Sequence, residues 1–138
     1  MTEKYYLDAC IWIDYFENRS DKFRPLGEWA LQLINKIICE NGIFVLSDHL
    51  MNELRVKYSS EEITRSLAIL PEALTIKTGT NRKQALDASK LKEKLQIPFG
   101  DALHAILAKD NEAILVSRDK HFLELGKLVI VRKPEELL

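Results

Sequence analysis

A chain of 138 residues with 20 basic and 21 acidic side chains, formal net charge −1, is long enough to bury a real core. It is too evenly charged to carry the broad cationic surface that grips long nucleic acid, so any such contact must use a local patch or metal ions. Hydrophobic residues make 46% and charged residues 30%, a soluble globular balance that excludes a disordered chain.

In chain order, KYYLDA (4–9) reads as a first strand and IWIDYFE (11–17) as a short helix with Trp12 and Phe16 four apart. PLGEWALQLINKIICEN (25–41) has apolar residues at 26, 29, 30, 33, 34, 37 and 38, an amphipathic helix with Pro25 near its start and Asn41-Gly42 as its stop. IFVL (43–46) is a continuous apolar run, suited to a strand covered on both faces. SDHLMNELRVKY (47–58) follows as a helix capped by Ser47 or Asp48, and Ser59 with Glu62 forms a capping box for the next helix, ending near Pro71. LTIKT (74–78) is a strand candidate, NRKQALDASKLKEKL (81–95) a charged helix, and FGDALHAILA (99–108), after Pro98, a buried one. AILV (113–116) is another buried strand and LVIV (128–131) the last. Alternating strands and helices with apolar strands predict an α/β fold, a mostly parallel sheet with helices on both faces, and no linker divides residues 1–138 into separate domains. Cys10 and Cys39 make neither a disulfide framework nor a zinc spacing. No secretory pattern opens the chain and no apolar run reaches membrane-spanning length, so the expectation is a cytoplasmic protein without membrane contact.

Four carboxylates fall at the strand ends. Asp8 follows the first strand, Glu53 lies on the helix after IFVL, and Asp119 follows AILV after Ser117 and Arg118. Sites in open α/β sheets gather outside the carboxyl ends of the strands. Asp101 opens the buried helix; one such Asp is accounted for by capping and the helix dipole, but four carboxylates at one rim repel unless a divalent cation neutralises them. Oxygen donors without matched cysteines or histidines suit Mg²⁺ or Mn²⁺.

The stretches YYLDACIWIDYF, LSDHLMNEL, PFGDALHAILA and ILVSRDKHF resemble, in order and spacing, the four blocks of the PIN-domain family, most closely its small VapC-type toxin ribonucleases. The resemblance covers essentially the whole chain. It implies one PIN-like three-layer α/β/α domain with a central, mostly parallel sheet. It further implies that Asp8, Glu53, Asp101 and Asp119 are the catalytic acids that hold Mg²⁺ or Mn²⁺ for endonucleolytic cleavage of RNA to a 5′-phosphate and a 3′-hydroxyl, without a protein nucleophile. It implies a small antitoxin partner seated in an apolar groove, and dimerisation. Ser117 matches the family's usual Thr or Ser near the fourth acid, whereas Ala9-Cys10 stands where the family often has hydroxyl or amide residues. The alternative is a PIN-fold RNA-binding or RNA-processing component without catalytic activity.

The remaining polar residues are read more plainly. Arg118 and Lys120 beside Asp119 are candidates for phosphate contact, although either side chain is equally well a solvated one. His104 is a packed or substrate-facing neighbour of the site, His49 is ordinary, and His121 either touches RNA or is a solvated loop histidine. A helical di-iron centre is set aside because the strands argue against a bundle and Asp-x-x-His occurs once. Asp14, Glu17 and Asp87 are the other acids near these stretches; Asp14 is read as a surface acid, and Asp87 as an exposed ion-pair partner of Lys83 or Lys90. Trp12 and Phe16 are core by default; the alternative puts them at an exposed groove.

Overall fold

The computed structural model describes residues 2–138. Five strands, β1 (Lys4–Leu7), β2 (Ile43–Ser47), β3 (Thr75–Thr78), β4 (Ile114–Val116) and β5 (Val131–Arg132), form a parallel sheet in the order β3-β2-β1-β4-β5. Between them run α1 (Ala9–Glu17), α2 (Leu26–Cys39), α3 (Asp48–Lys57), α4 (Ser60–Ser66), α5 (Arg82–Leu95) and α6 (Phe99–Asp110).

Successive strand residues point to opposite faces, and each face has its own core. Tyr6, Val45 and Leu115 pack with Ala88 of α5 and with Ala102, Leu103, Ala105 and Ile106 of α6. Leu7, Phe44, Leu46 and Val116 pack on the other side with Ile11 and Trp12 of α1, Ile34 and Ile37 of α2, and Leu50 and Leu54 of α3. Trp12 is fully buried, and its indole N–H donates to the Leu7 carbonyl at 3.1 Å. That settles the choice for Trp12 as core; Phe16, partly buried, stands edge-on to Tyr58 with ring centroids 5.5 Å apart.

Local chemistry explains most boundaries. Ser47 caps α3 by accepting from the Leu50 N–H (2.9 Å), and the Ser59–Glu62 capping box starts α4. Helix α4 ends at Ser66, earlier than expected, and the chain reaches Pro71 through a 3₁₀ turn. After α2, Asn41 takes the left-handed conformation (φ 57°), and a Cβ on Gly42 would stand 2.8 Å from the Ile37 side chain. The last strand is displaced from LVIV: Leu128 and Val129 both donate to the Leu125 carbonyl, Val129 fills the core, and pairing with β4 begins only at Val131.

Helices α1 and α2 meet at Gly27, where a Cβ would lie 2.5 Å from the Cα of Asn18. Backbone at that distance cannot swing aside as a side chain can. Gly27→Ala is therefore expected to cost roughly 2 kcal/mol through overpacking, read as a lower urea midpoint with an unchanged slope. Among the described residues, no helix is long and apolar enough to cross a membrane.

Candidate functional site

The strand order reverses beside β1, with β2 and β3 on one side and β4 and β5 on the other. In parallel sheets this switch point opens a crevice at the carboxyl ends. Asp8 sits there, one residue past β1, its N–H donating to the Val116 carbonyl at the end of β4 (3.1 Å). The side chain is also the N-cap of α1, accepting from the N–H groups of Cys10 (3.1 Å) and Ile11 (3.4 Å) through Oδ1. Its other oxygen accepts a hydrogen bond from the Ser117 hydroxyl, which in turn accepts from the Asp119 N–H at 3.0 Å. Asp8 is buried, and loss of solvent pushes its carboxyl up against the hydrogen bonds from Cys10 and Ser117 that lower it.

Cys10, at a position where the resemblance implies a hydroxyl or amide, supplies a donor of its own: its thiol lies 2.7 Å from Asp8 Oδ1. Burial, and then the neighbouring Asp8 charge, pushes this thiol up, so it stays protonated at neutral pH. Exposed Cys39 is therefore expected to be alkylated well before Cys10 at mildly alkaline pH, as peptide mapping of a timed iodoacetamide reaction would show.

Asp101 lies in the first turn of α6, which begins two residues earlier, at Phe99. Its carboxylate caps no helix N–H and instead faces His121, whose Nδ1 is 2.8 Å from Asp101 Oδ2 and 3.0 Å from Asp119 Oδ1. Burial pushes Asp101 up, His121 works against that, and the Asp119 charge adds to it. Glu53, projecting from α3, is hydrogen-bonded to Nε2 of His104, one turn after Asp101 on α6. Burial would raise Glu53, but His104 and His49 together outweigh it and hold the carboxyl below its ordinary value. His104 is itself buried and fixed at Nδ1 by the Tyr6 hydroxyl (2.6 Å), which also meets Ser47 Oγ at 2.6 Å. Gly100 joins the two regions: a Cβ there would stand 3.7 Å from Glu53 Oε2.

The four acids thus occupy one end of the sheet, three of them in two close groups. Ligand atoms of Asp101, Asp119 and His121 lie within 4.8 Å of one another, and so do those of His49, Glu53 and His104. Asp8 belongs to neither group and connects to Asp119 through Ser117. His49, read from sequence as ordinary, stacks on His104 (centroids 4.3 Å) and contacts the Gly100 carbonyl at 3.1 Å. His121, still partly exposed, bridges two acids. The i,i+4 spacing of His49 and Glu53 was the available signal for the first; nothing in the sequence pointed to the second.

Other expectations change. Arg118, a candidate phosphate contact, turns inward: Nη1 hydrogen-bonds Glu135 (3.0 Å), Nε lies 3.5 Å from Asp14, and the guanidinium covers the Trp29 ring at 5.5 Å. Asp14 is accordingly buried rather than a surface acid. Glu17 is tied to Lys57 (2.5 Å), Arg19 (3.1 Å) and the Tyr58 hydroxyl. Asp87 makes no ion pair with Lys83 or Lys90 among the described residues, and Lys120 is exposed beside Asp119.

A parallel three-layer α/β domain with acids at its switch point defines a recognisable class. A family model for the PIN domain matches residues 5–128, and the chain belongs to that family. Solved structures share the fold at low identity. VapBC2 from Rickettsia felis, bound to a DNA fragment from its promoter, superposes with a TM-score of 0.69 at 17% identity, covering 94% of this chain and 98% of that one. A toxin–antitoxin complex from Klebsiella pneumoniae gives 0.66 at 20% identity (94% and 97% covered), and VapBC-1 from nontypeable Haemophilus influenzae gives 0.66 at 20% (96% and 98%). A sequence comparison with curated proteins gives no match.

Proposed function

We propose that this protein is a divalent-metal-dependent endoribonuclease, the toxin of a toxin–antitoxin pair. The observation that carries the reading is the set of carboxylates at the β1–β4 switch point: Asp8 buried without an ion-pair partner among the described residues, and Asp101 and Asp119 held around one imidazole. These oxygen donors fit a hard cation such as Mg²⁺ or Mn²⁺, which Asp8, Asp101, Asp119 and Glu53 would hold. When bound, the ion supplies an acidified water and neutralises charge on the phosphate undergoing hydrolysis. The chain's own residues do the positioning. Ser117 fixes Asp8 and the Asp119 backbone together, Cys10 holds the second Asp8 oxygen, and His104 orients Glu53. Exposed Lys120 is the basic side chain beside the acids for meeting RNA phosphates.

The antitoxin assignment draws support from the shared fold of the toxin–antitoxin complex named above. The test is cleavage of structured RNA by the purified chain with Mg²⁺ or Mn²⁺, abolished by chelator. RNA binding without cleavage under any divalent ion would favour the non-catalytic RNA-binding reading instead. Co-purification with the product of a neighbouring small reading frame tests the partner.

A further inference from the structure

We propose that His49, Glu53 and His104 form a second metal site, one that takes a nitrogen-preferring divalent transition-metal ion such as Zn²⁺, distinct from the acidic rim although it shares Glu53. A carboxylate neutralised by an imidazole needs one histidine. Here two rings from different helices converge on it: His104 Nε2 is hydrogen-bonded to Glu53 Oε1, and His49 Nε2 lies 3.8 Å from the same oxygen. His49 and Glu53, one turn apart on α3, present both donors to one side of the helix. His104 enters from α6, buried, with its stacked partner 4.3 Å away.

Donor atoms around a tetrahedral ion at the usual Zn–N and Zn–O lengths stand about 3.3 Å apart, and the three ligand atoms here lie within 4.8 Å of one another. The Gly100 carbonyl, 3.1 Å from His49 Nε2, offers a fourth donor, an oxygen. Gly100 also leaves the space open, because a Cβ would stand 3.5 Å from His49 Nε2 and 3.7 Å from Glu53 Oε2. Ligating imidazoles are usually held at their other nitrogen, and His104 is so held: Nδ1 meets the Tyr6 hydroxyl, which is anchored in turn by Ser47. Two imidazoles and one carboxylate form the mixed donor set that suits Zn²⁺ or Co²⁺, whereas the rim acids suit Mg²⁺ or Mn²⁺.

The experiment is a Co²⁺ titration of the full chain, stripped with chelator and free of RNA, followed by visible absorption. Expected is one Co²⁺ per chain with the intense bands of a four-coordinate site, displaced by Zn²⁺ and retained in an Asp101→Asn/Asp119→Asn double variant. His49→Ala and His104→Ala should each weaken Co²⁺ by on the order of 10–100-fold. Because His104 is buried and its variant risks misfolding, half-buried His49 is the deciding position. Unchanged Co²⁺ affinity in His49→Ala, or its loss in the rim double variant, would overturn the proposal. A parallel Mn²⁺ titration separates the two readings: Mn²⁺ binding absent from wild type while Co²⁺ binding persists sinks the rim assignment and leaves this site standing.

Discussion

On the proposed metal-dependent function, Asp8→Asn, Asp101→Asn and Asp119→Asn should each lower RNA cleavage by roughly two orders of magnitude or more, because each would remove a ligand charge from the ion that acidifies water. Asparagine is the right replacement. Asp8 also caps α1 and receives the Ser117 hydroxyl, so alanine there would mix a folding defect with a chemical one. Asparagine keeps an oxygen for the Cys10 and Ile11 N–H groups and removes the charge, while its NH2 must donate to Ser117 Oγ where the carboxylate accepted. Initial rates at saturating Mn²⁺, with circular dichroism as a check on folding, measure the effect. Full activity in all three variants would remove the rim from the mechanism.

Asp101→Asn separates metal binding from helix capping by its effect on melting. Since the Asp101 side chain caps nothing and is pushed up by burial, the metal-free variant should melt at or above wild type near neutral pH. The sign follows from proton binding. A folded-state value above the unfolded one gives stability that is present below the unfolded value and lost as pH rises through the folded one. Wild type alone carries that loss at this position, so the variant's advantage should grow as pH rises out of the ordinary carboxylate range. With Mn²⁺ at one hundred times its dissociation constant, wild type should gain about 2.7 kcal/mol, because the ion binds the folded state alone, and the variant should forfeit most of it. Melting curves at three pH values, with chelator and with Mn²⁺, decide the matter; a destabilised variant with an undiminished metal response would contradict it.

The architecture was legible because the apolar runs are unambiguous. IFVL and AILV are buried on both faces, and the capping residues Ser47 and Ser59 stand at the starts of α3 and α4. The misreadings have local causes. LVIV is apolar because Leu128 and Val129 pack into the core in the turn that precedes the strand, so its composition said strand three residues early. Asp14 and Arg118 are 104 positions apart, and no periodicity reveals that they pair inside the protein. The same holds for His121, whose two acid partners come from different elements, and for Tyr6, whose side chain reads as plain core while its hydroxyl ties Ser47 to His104. Charge and burial patterns locate acids along a chain; they do not say which imidazole will lie between them.

Both outer strands of the sheet are poor templates for a further chain. β5 is two residues long, and β3 is four residues long with Lys77 in it. Open edges invite copies of a protein to continue one another's sheets, and short, lysine-bearing edges discourage it. Any self-association of the folded protein is therefore expected on its helical or loop surfaces. Concentrated stocks held well below the melting temperature should stay free of fibres, with aggregation beginning only where the sheet itself comes apart.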